Sequence, residues 1–119
     1  MNLINTYTLE VKKSKFIAYY YQIENPEDAK SILEYLKKEH KKARHIPYAY
    51  KLQNIAKKSD DKEPANTAGT PIYNLIMQKN LENVLICVVR YFGGVKLGAG
   101  LLTRSYLNSA KEVIKEKED

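Results

Sequence analysis

The apolar positions of this chain change period along its length, and each change predicts an element. Residues 1–13 form an N-terminal strand region in which Tyr7, Leu9 and Val11 share one face. The polar stretch Lys12–Lys15 separates it from a β-rich run, Phe16 to Ile23. Two such runs around a polar break predict a hairpin. The period then lengthens: Ala29, Ile32, Leu33 and Leu36 follow the i, i+3, i+4, i+7 stripe of a helix. Asn25-Pro26-Glu27-Asp28 ahead of it supplies a cap residue, an early proline and first-turn acids, so a helix should run to about His40. Ile46, Tyr48, Tyr50 and Leu52 then share one face of a strand.

Residues 54–68 read as a long irregular segment. Gly69-Thr70-Pro71 opens a second helix with Thr70 as its cap, Ile72, Leu75 and Ile76 as its stripe and Asn80 at its end. The run Val84–Val89 contains no polar residue, which predicts a central strand with neighbours on both sides. Leu101, Leu102, Tyr106, Leu107, Ala110, Val113 and Ile114 predict a last helix, followed by a polar tail at 115–119. The order β-β-α-β-α-β-α gives an α+β two-layer sandwich, a sheet of about four strands with helices packed on it. Tyr19, Tyr20 and Tyr21 are consecutive, so either one of them leaves the core or the sheet is covered on both faces.

At 119 residues the chain is expected to form one domain. With 44% hydrophobic and 29% charged residues and no segment of transmembrane or signal type, it reads as a soluble, cytoplasmic protein without a membrane partner. A single cysteine, Cys87, excludes an intramolecular disulfide and a cysteine-based zinc site, and its apolar strand predicts burial.

Charge adds a candidate surface. The net charge is +6, yet Lys37, Lys38, Lys41, Lys42, Arg44, Lys51, Lys57 and Lys58 face only Glu39 within residues 37–58, where His45 also lies. A localised basic patch suggests a polyanionic partner, with a solvated helix end as the plain alternative. A second cationic element follows the central strand. Residues 90–106, RYFGGVKLGAGLLTRSY, hold four of the five glycines. Strand, glycine loop and helix in succession bring free backbone N–H groups near Arg90, Lys96 and Arg104, a plausible anion site that would include Tyr91, Gly93, Gly94 and Gly98. Lys96 lacks the following Ser or Thr of a Walker loop.

The segment Ser59-Asp60-Asp61-Lys62-Glu63-Pro64 concentrates three carboxylates. Such a cluster either binds a hard cation or caps turns, and it lacks the ligand spacing of a calcium loop. Thr67 and Thr70 flank a helix start, where capping is their ordinary role. His40 and His45 alone do not make a metal site, and no nucleophile elbow is present. No metal or cofactor is therefore assigned.

The motifs ARH at 43–45, SDD at 59–61, Glu63-Pro64, Thr67-Ala68-Gly69 with Pro71, RYFGGVKLGAG at 90–100, Arg104 and Tyr106 together resemble the IMPACT/YigZ family over residues 14–114. The resemblance implies a fold like domain IV of elongation factor G and the second domain of a small-subunit ribosomal protein, with a left-handed βαβ crossover. It also implies that the acidic segment lies beside the glycine loop, so that Asp60, Asp61 or Glu63 pairs with Arg90, Lys96, Arg104 or loop N–H groups. Bacterial members usually add a ferredoxin-like C-terminal domain, which this chain is expected to lack. Eukaryotic members restrain a starvation-activated kinase of translation initiation. This sequence departs from the pattern at Lys62, Asn66 and Leu101, where the family usually has glycine.

Together these features favour a binding domain over an enzyme. It would contact RNA, the ribosome or a translation-associated protein through its basic surface. A protein-interaction regulator of the translation stress response is the first alternative. An enzyme on a nucleotide or phosphorylated substrate, using Asp60, Asp61 and Glu63, is the second. Oligomeric state is not legible.

Overall fold

The computed structural model describes residues 1–115. Eight elements follow in order: β1 (Asn2–Val11), β2 (Ser14–Gln22), α1 (Pro26–Glu39), β3 (Tyr48–Lys51), β4 (Ala56–Ser59), α2 (Gly69–Gln78), β5 (Val84–Tyr91) and α3 (Ala99–Val113). The strands form one antiparallel sheet in the order β1-β2-β5-β3-β4. The α+β class with helices on a single sheet is as expected, and β5 is central. Beyond Lys115, the expected polar tail lies outside the described residues.

Side-chain alternation divides the core in two. Phe16, Ala18, Ala49, Ile86 and Val88 face one side, where they pack with Ile72, Leu75, Ile76, Leu102 and Tyr106 of α2 and α3. Tyr50, Leu85, Cys87 and Val89 face the other, against Ala29, Ile32 and Leu36 of α1. The consecutive tyrosines follow the same rule: Tyr20 packs on the α2–α3 side, Tyr19 and Tyr21 on the α1 side. Helices therefore cover both faces, which corrects the two-layer arrangement to three layers. Val84 to Val89 on β5 are all apolar because neither face of the sheet meets water there.

The sheet has five strands, not about four. Strand β4 falls inside the segment expected to be irregular. Ala56, Lys57 and Lys58 are exposed, so no apolar periodicity marks them, and backbone pairing to β3 alone makes the strand. Helix α1 starts as its residues predict, with Asn25 Oδ1 accepting from Asp28 N at 2.9 Å. Helix α2 does not use Thr70 as its cap. Ala68 occupies that position, and the Thr70 hydroxyl donates to Asn66 Oδ1 at 2.9 Å.

Candidate functional site

Four segments converge at the end of the sheet where β5 leaves it. They are the β1–β2 turn, the α1–β3 connection, the acidic segment and the glycine loop. The Arg44 amide donates to the Arg90 carbonyl at 2.8 Å and the Arg90 amide to the His45 carbonyl at 2.9 Å. Gly93 lies so close to the β1–β2 turn that a Cβ on it would stand 2.1 Å from the Lys13 carbonyl carbon. Its amide donates to Ser14 Oγ at 3.3 Å.

The acidic segment holds this junction together. Glu63 is buried, and both its oxygens accept from Arg90 Nη1, at 3.0 and 2.8 Å. The Tyr106 hydroxyl donates to Glu63 Oε2. Burial first, and then the Glu63 carboxylate, pushes the Tyr106 phenol well above its ordinary pKa, so it stays a donor. His45 donates from Nδ1 to the Asp61 carbonyl at 2.7 Å and brings Nε2 to 3.7 Å from Glu63. Arg90 Nε is buried without a hydrogen-bond partner among the described residues.

The two aspartates bind backbone. Asp60 accepts from the amides of Asn66, Ala68 and Gly69 at 2.9, 3.1 and 2.8 Å, which makes it the cap of α2 from a distance in sequence. Asp61 Oδ2 accepts from Ile46 N at 2.6 Å. Ser59 Oγ accepts from the Asp61 amide at 3.1 Å, and the Thr67 hydroxyl donates to the Pro64 carbonyl at 2.6 Å. Among the described residues, no group of three or more His, Cys, Asp or Glu side chains is placed to hold a metal.

Positions 62 and 66 have a backbone that favours glycine. Lys62 and Asn66 both have positive φ, 70° and 65°, a conformation glycine adopts freely and asparagine tolerates. Lys62 therefore carries local strain.

In the glycine loop, the predicted residues divide. Arg90 is buried and turned toward Glu63, so it is a structural cation rather than a loop ligand. Lys96 and Arg104 are exposed, and Arg104 Nη1 stands 3.4 Å from where a Cβ on Gly100 would be. Gly94 has φ 89°, while Gly98 and its surroundings are open. Helix α3 begins at Gly98 with neither a side-chain cap nor an acid in its first turn. Tyr91 is half-buried, and its hydroxyl bonds His40 Nδ1 at 2.6 Å, while Tyr19 OH bonds His40 Nε2 at 2.9 Å.

The basic stretch also divides. Lys37, Lys41 and Arg44 line one cleft of about 260 Å³ together with His40, His45 and Asp61. Lys38 and Lys42 are exposed beside them. Lys51 leaves the patch: its Nζ pairs with Glu82 Oε2 at 2.8 Å. Lys58 turns to the opposite face, 5.3 Å above the Tyr73 ring, while Lys57 lies on the α1 side opposite Tyr50. Sequence reasoning missed Lys12, Lys13 and Lys15, which the hairpin delivers to the same end as the glycine loop. It also missed Phe92, which is 37% exposed under the Arg44 guanidinium, 4.7 Å from the ring centre. A cluster of three lysines in four residues was a visible signal, but only the fold joins it to Arg44.

Comparison with known proteins agrees with the fold. IMPACT family member YvyE of Bacillus subtilis (strain 168) is 37% identical over 105 residues, which cover 86% of this chain and 48% of the relative. A hypothetical protein of known crystal structure superposes with a TM-score of 0.87 at 34% identity, covering 92% of this chain and 56% of its own. The two-domain translational regulator Yih1 shares the fold, with a TM-score of 0.56, 24% identity and coverage of 93% and 46%. The chain spans about half the length of the curated relatives it matches. Among the described residues no helix is long and apolar enough to cross a membrane. Residues 12–114, from the β1–β2 turn through the last helix, match the Impact N-terminal domain, and the chain belongs to that family.

Proposed function

We propose that this is a cytoplasmic, translation-associated binding domain that contacts RNA through its phosphates. The carrying observation is the cleft at the end of α1 and along the α1–β3 connection, where Lys37, Lys41 and Arg44 converge without an ion-pair partner among the described residues. Asp61 is the one carboxylate lining it, and one of its oxygens already accepts from Ile46 N. The balance of charge thus favours an anion, and RNA offers phosphates at regular spacing. Two further facts support binding over catalysis. Glu63 is committed to Arg90 and Tyr106, and Asp60 to the start of α2, so the acidic segment is explained by folding alone. The fold shared with a translational regulator, and the family resemblance, supply the translation context of the proposal.

The test is a variant with Lys41, Lys42 and Arg44 all changed to glutamate. RNA affinity and ribosome co-sedimentation should fall steeply at physiological salt, while stability changes little because exposed charges contribute little to it. The wild type should lose affinity with salt by a log–log slope of about 0.7 per phosphate contacted on a single strand. Unchanged RNA affinity in a folded triple variant would point to a protein partner instead.

A further inference from the structure

Lys12 and Lys13 form the whole β1–β2 turn, and both have positive φ, 47° and 70°. A two-residue hairpin of this shape normally carries Asn-Gly, because a side chain with a Cβ is strained there. Two lysines in such a turn sacrifice stability, and nothing in the fold needs their charge. Neither forms an ion pair among the described residues. Lys62, at φ 70°, repeats the pattern beside His45.

The lysine turn lies against the end of β5, next to an exposed aromatic residue. The turn backs onto Gly93, the residue after Phe92. Phe92 is exposed, and Arg44 lies over its ring. Lys15 stands opposite Tyr91 in the sheet, and Lys96 is exposed farther along the glycine loop. Acidic groups are sparse here. Glu10 faces Lys15 across the hairpin, and Asp61 lines the adjoining cleft. An exposed ring under a guanidinium, next to a lysine-bearing turn, suits an unstacked nucleobase with its flanking phosphates. A duplex keeps its bases stacked and offers none to Phe92.

We infer that this end of the sheet is a binding site for single-stranded RNA, with a base stacked at Phe92 and Arg44 and flanking phosphates held by Lys12 and Lys13. The inference rests on the proposed RNA function and adds strand form and the stacking residue.

A labelled mixed-sequence single-stranded oligoribonucleotide and a blunt-ended RNA duplex of equal phosphate number separate the possibilities by fluorescence anisotropy. The single strand should bind more tightly. Phe92→Ala should weaken it about tenfold with little effect on the duplex, and Phe92→Tyr should restore it. The pair Lys12→Asn with Lys13→Gly should raise the thermal midpoint and still lower affinity, with a salt slope smaller by about 1.4, two contacts' worth. Opposite signs for stability and binding are not expected of a merely structural turn. Equal binding of the two RNAs with a silent Phe92→Ala overturns this inference and leaves the phosphate reading standing. No binding of either RNA overturns both. Binding of anionic vesicles that is as sensitive to Phe92→Ala as RNA binding also overturns it, in favour of a lipid surface.

Discussion

Glu63 and Arg90 are 27 positions apart and form a buried ion pair, with Arg90 Nη1 2.8 Å from Glu63 Oε2. The pair ties the acidic segment to the end of the central strand. Through Tyr106 it also reaches α3, and through His45 the α1–β3 connection. One carboxylate thus ties together the end of β5, α3 and the connection that carries Arg44, while Gly93 joins the lysine turn to them. The most conspicuous charges of the sequence motifs hold the surface in shape, and plainer lysines form it.

Removing Glu63 should therefore unfold more than it disarms. Glu63→Ala leaves a buried guanidinium unpaired and should destabilise by about 3–5 kcal/mol in urea unfolding. Changing Glu63 to Leu, Arg90 to Met and Tyr106 to Phe together should recover most of that loss, since no buried polar group is then orphaned. A cost below about 1 kcal/mol for Glu63→Ala would mean that the pair is solvated in solution.

Asp60 replaces the cap that Ala68 cannot supply. Asp60→Ala frees the amides of Asn66, Ala68 and Gly69, and should cost about 1–2 kcal/mol. Hydrogen exchange at the start of α2 should quicken selectively. Uniform acceleration across the domain would show that the aspartate supports the whole fold.

The three helix stripes, the hairpin and the central strand were legible because burial forces apolar residues into a period near four, a period of two, or, where both faces are covered, an unbroken run. Strand β4 was not, because Lys57 and Lys58 are exposed and its pairing is all backbone. The Glu63–Arg90 contact was foreseeable from family resemblance and opposite charge, but not its burial. Lys51 was counted as free because Glu82, its partner, lies 31 positions away. Phe92 escaped notice for the opposite reason: nothing local distinguishes an exposed aromatic from a buried one.

The glycines separate into two kinds that substitution should distinguish. Gly93→Ala puts a Cβ against the Lys13 backbone and should destabilise by about 1–3 kcal/mol. Gly100→Ala meets only the flexible end of Arg104, at 3.4 Å, and should stabilise α3 by about 0.5–1 kcal/mol. Lys62→Gly relieves a positive φ and should gain a similar amount. Thermal midpoints give the ranking, and a Gly93→Ala variant as stable as wild type would contradict the close turn-to-loop packing.

Alkaline stability should reveal the buried hydroxyls and thiol. Burial raises the Cys87 thiol, and burial with Glu63 raises Tyr106; Tyr21 is pushed up to about 12, chiefly by burial, and Tyr19 moves the same way. Each of these groups keeps its proton longer in the folded chain than in the unfolded one. Their contribution to stability is therefore complete below the unfolded values, 9.0 for the thiol and 10.0 for the phenols, and declines as pH rises above them. Urea unfolding should show stability falling progressively above that point, and Tyr106→Phe should flatten part of the fall. Tyrosinate absorbance of the native protein should report fewer than the ten tyrosines present until the fold is lost. Cys87 should resist thiol reagents over the same range, because a neutral buried thiol is neither nucleophilic nor reachable. Full titration of all tyrosines with the helical spectrum intact would show that Tyr106 is open to solvent, and the junction it makes with Glu63 would then be wrong.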